Sequence, residues 1–118
     1  MIEYKLGEVE MKFADIIWSR EPLASGELAK LCEQELQWKK STTYTILRRV
    51  CDRGLFQNVD GIVTSVVSRQ EFLSKQSTQF VEQTFAGSLP KFVAAFTAGR
   101  KLSEEEAAEL QKIIDQSM

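Results

Sequence analysis

Histidine is missing altogether from the 118 residues of this chain, and cysteine occurs only twice, at Cys32 and Cys51, with no CxxC spacing. Without imidazole there is no Ser/His or Cys/His couple and no imidazole metal ligand, and two isolated thiols cannot complete a thiolate-only zinc site. The two cysteines read instead as small buried apolar residues. Glycine is also sparse: Gly7, Gly26, Gly54, Gly61, Gly87 and Gly99 stand singly, so no glycine-rich phosphate loop is present. These gaps argue against an enzyme and give no candidate catalytic residue, metal site or cofactor site. No apolar run approaches the roughly 18 to 20 residues that span a bilayer, and Met1 to Leu6 interleave Glu3 and Lys5 where a signal peptide would be apolar. The expectation is a cytoplasmic protein without membrane insertion. Positive charge is not in excess either, since 15 Lys and Arg face 17 Asp and Glu for a net −2, so any nucleic-acid surface must be local.

What is present is a chain with 43% hydrophobic and 27% charged residues, the balance of one compact domain or a small domain with a helical appendage. Leu6, Val9, Phe13, Ile16 and Ile17 recur at helical spacing and predict a first amphipathic helix, broken at Arg20, Glu21 and Pro22. A second helix begins with Ser25 as its N-cap and carries Leu28, Leu31 and Cys32 on one face, fading near Leu36. In the third, Thr43, Ile46, Leu47, Val50 and Cys51 fill the i, i+3, i+4, i+7, i+8 template, and Gly54 is its natural stop. Leu55 to Ser68 is rich in Val, Ile, Thr and Phe and is divided by Asp60-Gly61, the signature of a two-residue β-hairpin turn. Ser68 to Glu71 has capping-box spacing and opens a long, mostly polar helix reaching about Phe85. A short helix with Phe92, Val93 and Phe96 follows the Gly87-Ser88-Pro90 break, and Ser103 to Glu106 opens a last one with Leu110, Ile113 and Ile114.

Three helices, a hairpin and three further helices give a mostly α protein with a small β-hairpin wing: a winged helix-turn-helix domain over 1–67, then a helical region over 68–118. The first 68 residues hold nine basic and ten acidic side chains, a net of −1, so this half is not basic overall. Between Lys39 and Arg53, however, five cations (Lys39, Lys40, Arg48, Arg49, Arg53) oppose Asp52 alone. At about 100° per residue, the third helix turns its apolar stripe inward, leaves Ser41, Thr45, Arg48 and Asp52 outward, and sets Thr42, Tyr44 and Arg49 on the flanks. Small hydroxyl side chains allow close approach to the major groove, Thr methyls meet the thymine methyl, and Arg pairs with guanine or phosphate. A charge run by itself is an ordinary solvated face. Its place on the third helix, directly before a hairpin, favours nucleic acid. The hairpin tip at Asp60 has no Lys or Arg beside it, so the wing is not expected to grip phosphate strongly.

The ordered set of motifs resembles the penicillinase-repressor family of winged-helix transcriptional regulators over nearly the full length. Leu6, Glu10 and Ile16-Ile17-Trp18 are similar to its first helix, and Trp38 with Lys39-Lys40-Ser41-Thr42-Thr43-Tyr44-Thr45 to its approach to the recognition helix. Arg49-Val50 and Arg53-Gly54-Leu55 resemble the exit into the wing, while Phe85-Ala86-Gly87-Ser88-Leu89 and Leu102-Ser103-Glu104-Glu105-Glu106 resemble the dimerisation helices. The resemblance implies a homodimeric repressor on a palindromic operator in double-stranded DNA. It sets Thr42, Tyr44 and Thr45 at base edges beside Ser41, with Lys39, Lys40, Arg48 and Arg49 as backbone or mixed contacts. The region 68–118 becomes a dimerisation region using Phe72, Phe80, Phe85, Phe92, Phe96, Leu110, Ile113 and Ile114. A chain this short cannot readily bury those side chains on its own small core, whereas a symmetric copy can; the alternative is that the helices fold back on the first domain.

Penicillin-responsive members are inactivated by cleavage at an Asn-Phe bond in the dimerisation region, and the corresponding place here is Ala95-Phe96. The missing Asn is a departure from the family's pattern that counts against proteolytic induction, while the resemblance leaves open an upstream sensor or protease as a partner. Copper-responsive members carry paired CxC motifs near the C-terminus, and the absence of cysteine after Cys51 excludes copper sensing through that motif. A protein-interaction winged helix and a small-molecule-sensing regulator without the family's proteolytic induction are the competing functions. Trp18 is expected to close the first helix on the core and Trp38 to anchor the approach to the recognition helix. Glu104-Glu105-Glu106 complements a helix N-terminus rather than binding metal.

Overall fold

The computed structural model describes residues 2–118 and contains six helices and three short strands. Helix α1, Glu8–Arg20, starts where the Gly7 amide donates to Glu10 Oε1 at 3.2 Å; acids in its first turn and Arg20 in its last complement the helix dipole. Its apolar stripe buries Phe13, Ala14, Ile16 and Ile17. Strand β1 is only Leu23–Ala24, α2 runs Ser25–Leu36, and α3 runs Lys40–Asp52. The hairpin consists of β2, Phe56–Val59, and β3, Ile62–Ser65, joined through Asp60 and Gly61 at φ of 52° and 82°. Two consecutive left-handed residues are what a type I′ turn requires, and Asp-Gly supplies them at little steric cost.

The strands form one antiparallel sheet in the order β1-β3-β2, with Leu23 opposite Val63 and Ala24 opposite Ile62. Strand β1 adds a third member to the expected hairpin and changes the start of α2. Pairing holds Ala24 extended, so Ala24 rather than Ser25 occupies the N-cap, and the Ser25 amide donates to Gly61 O at 2.8 Å. Glu21 clasps the other end of β3, its carboxylate accepting from the Ser65 amide at 2.9 Å and from the Ser65 hydroxyl.

Phe13, Ile17, Leu28, Leu47, Val50, Phe56 and Val63 meet in a single core beneath the sheet and the first three helices. Trp18 closes it as expected, donating from Nε1 to Val67 O at 3.0 Å, with its ring 5.3 Å from Phe56 and 5.6 Å from Phe72. Helix α4, Arg69–Phe85, begins with Ser68 Oγ accepting from the Glu71 amide at 3.1 Å. Arg69 pairs with Asp15 of α1 at 2.7 Å. Phe72 corrects the expected dimerisation set. It is 0% exposed and packs with Trp18 and Tyr4, because the first turn of α4 lies over α1 and turns this ring into the core. The chain accordingly parts into two compact units between Ser77 and Thr78, inside α4, beyond the end of the wing at Val67.

The second unit, Thr78–Met118, holds the remainder of α4, helix α5 over Leu89–Gly99 and helix α6 over Glu104–Gln116. Ser88 caps α5 by accepting from the Lys91 amide, and Ser103 and Glu106 form the expected capping box of α6. Arg100 hydrogen-bonds Glu106 and holds its carboxyl below the ordinary range, with the Ser103 amide assisting. Phe80, Phe85, Phe92 and Phe96 form a ladder with ring centroids 5.5 to 6.3 Å apart, mostly tilted or edge-to-face. No residue of this unit is buried; Phe96 is 49% and Ile113 58% exposed, and a groove of about 320 Å³ is lined by Phe92, Val93, Phe96, Leu110 and Ile113.

Truncating Phe72 to Ala should therefore destabilise the winged-helix unit by about 3 to 5 kcal/mol, the usual result of removing a buried aromatic side chain. Urea unfolding followed by Trp fluorescence measures it, Trp18 being in direct contact; a loss below about 1 kcal/mol would contradict the core placement.

Candidate nucleic-acid interface

Helix α2 ends at Gln37, whose left-handed backbone, φ 55°, reverses the chain, and α3 restarts after Trp38 and Lys39. Trp38 stacks on Phe13 at 5.5 Å and 29°, so the connection between the two helices is seated on α1, as expected for that residue. Thr43, Leu47 and Val50 are buried along one side of α3, with Ile46 and Cys51 half-buried beside them. That stripe leaves Lys39, Lys40, Ser41, Thr42, Thr45, Arg48 and Arg49 exposed. Tyr44 is half-buried on the flank under Lys40, whose Nζ lies 5.9 Å from the ring centroid. The expected interface residues are thus gathered on one helix and the residue preceding it.

The Thr45 hydroxyl donates to Ser41 O at 2.9 Å, which fixes its rotamer and leaves its oxygen free to accept. Arg48 and Arg49 enter no ion pair among the described residues. Arg53 differs. Its guanidinium donates to Glu3 O and Lys5 O and lies 4.0 Å from Glu10, so one of the five cations counted in the basic run is engaged within the protein. The wing contributes no positive charge: no Lys or Arg lies between Gly54 and Ser68, Asp60 sits at the tip, and Gln57 bonds Thr64 across the strands at 3.1 Å. Free cationic charge in the first three helices and the wing is thus concentrated on α3 and its approach.

Sequence reasoning assigns Leu6 to the first helix and no role to residues 2–5, yet α1 begins only at Glu8, and Ile2, Tyr4 and Leu6 alternate with Glu3 and Lys5 in an extended segment and pack on the core. That period of two is the signal that could have found it. Behind the interface, Thr43 is fully buried with no hydrogen-bond partner of normal geometry for Oγ1. Its polar neighbour is the Cys32 thiol, which burial pushes up from its ordinary pKa, the Thr43 hydroxyl opposing and Glu35 adding to the rise. Burial likewise raises the Cys51 thiol, with Asp52 contributing. Among the described residues no group of three or more Cys, Asp or Glu is placed to hold a metal ion, and no helix is long and apolar enough to cross a membrane.

A sequence profile described as penicillinase repressor matches residues 6–116. The chain is 22% identical over 116 residues to the methicillin resistance regulatory protein MecI of Staphylococcus aureus, which covers 95% of this chain and 94% of that one. It is 23% identical over 116 residues to the penicillinase repressor of Bacillus licheniformis, covering 95% of this chain and 91% of the relative. A MecI protein of Staphylococcus epidermidis is 22% identical over the same span.

Replacing Thr43 by Val removes the unpaired hydroxyl while keeping the branched shape that fits beside Cys32, and should raise the unfolding free energy by about 1 kcal/mol. Chemical denaturation of both proteins checks this. A loss of stability would mean that the hydroxyl is paired in solution.

Proposed function

The chain belongs to the penicillinase repressor family, and from that premise we propose that it is a homodimeric transcriptional repressor that binds a palindromic operator through α3. The observation that carries this reading is the exposed cationic and hydroxyl-bearing face of α3, whose Arg48 and Arg49 enter no ion pair among the described residues, on a chain of net charge −2. Ser41, Thr42, Tyr44 and Thr45, in the first turns of the helix, meet base edges: hydroxyls donate to or accept from them, and the Thr methyls contact thymine. Lys39, Lys40, Arg48 and Arg49 neutralise phosphates, with the two arginines also able to take guanine O6 and N7 in bidentate fashion.

Dimer formation draws on the second unit. Phe80, Phe96, Leu110, Ile113 and Ile114 are exposed, Phe85 and Phe92 half-exposed, and a two-fold partner presenting the same surface removes them from water together. Two copies then offer two recognition helices to half-sites one helical turn, about 34 Å, or a multiple of it apart. Ala95-Phe96 lies within α5, and the reading includes no cleavage step.

Selection from a random duplex library with the purified protein, at low and at physiological salt, tests the whole reading when the mass of the bound species is determined alongside. A palindrome bound by two chains is expected; recovery of nothing even at low salt would turn the assignment toward a protein partner. On the selected operator, replacing Arg48 and Arg49 by Ala should weaken binding and flatten the log-log salt dependence by about 0.9 for each phosphate left without its cation. An unchanged slope with unchanged affinity would overturn the role of the two arginines. Leu110→Asp should impair dimerisation and lower operator affinity together, by about a hundredfold, the lower end of what bivalency adds. Sedimentation and binding titrations on the same samples measure both, and a monomer with undiminished affinity would break the coupling.

A further inference from the structure

Arg53 ends the basic run in sequence but turns back onto the protein in space. It is the C-cap residue of α3, its amide donating to Arg49 O at 3.0 Å. Its side chain, 28% exposed, holds three groups at once: Nη2 donates to Glu3 O at 3.2 Å and to Lys5 O, and Nη1 lies 4.0 Å from Glu10 Oε2. The chain segment so fastened is otherwise without regular structure. Ile2 lies over Gly54, at φ 82° the turning point between α3 and the wing, where an added Cβ would meet Ile2 Cδ1 at 3.4 Å. Tyr4 reaches the Phe72 ring at 6.0 Å, and Leu6 packs against the core.

We propose that Arg53 is a positioning residue for operator recognition, clamping the segment 2–6 and Glu10 of α1 across the C-terminal end of α3. The proposal rests on the repressor reading above. The N-terminal end of α3 is seated by the Trp38–Phe13 stack, its middle by Thr43 and Leu47 and its last turn by Val50, and beyond Val50 Arg53 adds a polar tie to the segment 2–6 and Glu10. A planar guanidinium serves here because its fork spans two carbonyls and a carboxylate, which a single ammonium cannot do in one geometry. Base readout needs bidentate geometry and fails with a small displacement of the helix, whereas attraction to phosphate varies slowly with distance. Loosening the clamp therefore lowers the preference for the operator over other DNA and leaves general DNA affinity in place.

The test compares wild type, Arg53→Ala, Arg53→Lys and Glu10→Gln on the operator recovered by selection and on a random duplex of equal length, across a salt series, well below the melting temperature. Arg53→Ala should lose about tenfold on the operator, the weight of one base contact, with the random duplex and the salt slope unchanged. Arg53→Lys keeps the charge and should resemble Arg53→Ala more than wild type. Glu10→Gln alters no cation and should lose severalfold in the same direction. Equal losses on both duplexes with a slope smaller by about 0.9 would make Arg53 a phosphate ligand and overturn the proposal. An unchanged operator preference would overturn it as well, leaving a residue that only stabilises the fold. Should Arg53→Ala fail to fold, the other two variants decide. Failure of wild type to select any operator would instead sink the repressor reading, and this proposal with it.

Discussion

Thr43, Leu47 and Val50 sink into the core along one side of α3, and the orientation of every exposed group on that helix follows from their burial. A helix carries neighbours three and four residues apart on one face, so fixing those three positions inward turns Ser41, Thr45 and Arg48 outward without further instruction. The rest of the first unit exists to hold that stripe. Phe13 packs with it from α1, Cys32 from α2, and Trp38 holds the connection between the helices against Phe13. Each fully buried Leu or Val contributes about 1.5 to 3 kcal/mol, so rotating α3 about its axis would expose apolar side chains at a cost that four solvated cations cannot offset.

The second unit obeys the opposite constraint. Its four phenylalanines meet one another at favourable angles, but such pairs contribute only about 0.5 to 1.5 kcal/mol each beyond the area they bury, and none of these rings is buried. Conformational entropy of about 1 to 2 kcal/mol per ordered residue opposes two short helices held by so little internal packing. Their capping is thorough: Ser88 and Ser103 both accept first-turn amides, and Arg100 braces Glu106. Capping fixes where helices begin. It does not supply a core, and the apolar surface left on α5 and α6 is what the proposed second copy would cover.

Much of this fold is legible in the sequence because the helices and the hairpin announce themselves by period, cap and turn. The stripe of α3, the Asp60-Gly61 turn and the capping boxes at Ser68 and Ser103 are local signals, and local signals survive folding unchanged. What escapes depends on tertiary neighbours. Strand β1 has two residues, too few for a period, and exists only because β3 is beside it. Phe72 stands in a sparsely apolar helix, and nothing in its own window distinguishes a ring turned to the core from one turned to a partner. Arg53 is a cation among cations until the carbonyls of Glu3 and Lys5 are brought to it across 50 and 48 residues of sequence.

Confining the charge has a consequence for discrimination between sites. A uniformly basic surface gains affinity for every phosphate, and with it for the very large number of competing non-specific sites in a genome. Here the acids of the remaining chain outnumber its bases, the wing tip bears Asp60, and the free cations cluster on α3 and its approach. At physiological salt charges are screened over about 8 Å, so acidic groups near the duplex oppose loose encounters while distant ones hardly matter. With α3 as the proposed recognition helix, non-specific attraction is weakened, whereas contacts made only within the groove keep their full strength. In the proposed reading, hydroxyls and arginines that reach base edges only when the helix is seated convert a small number of well-placed contacts into a large ratio between right and wrong sequence.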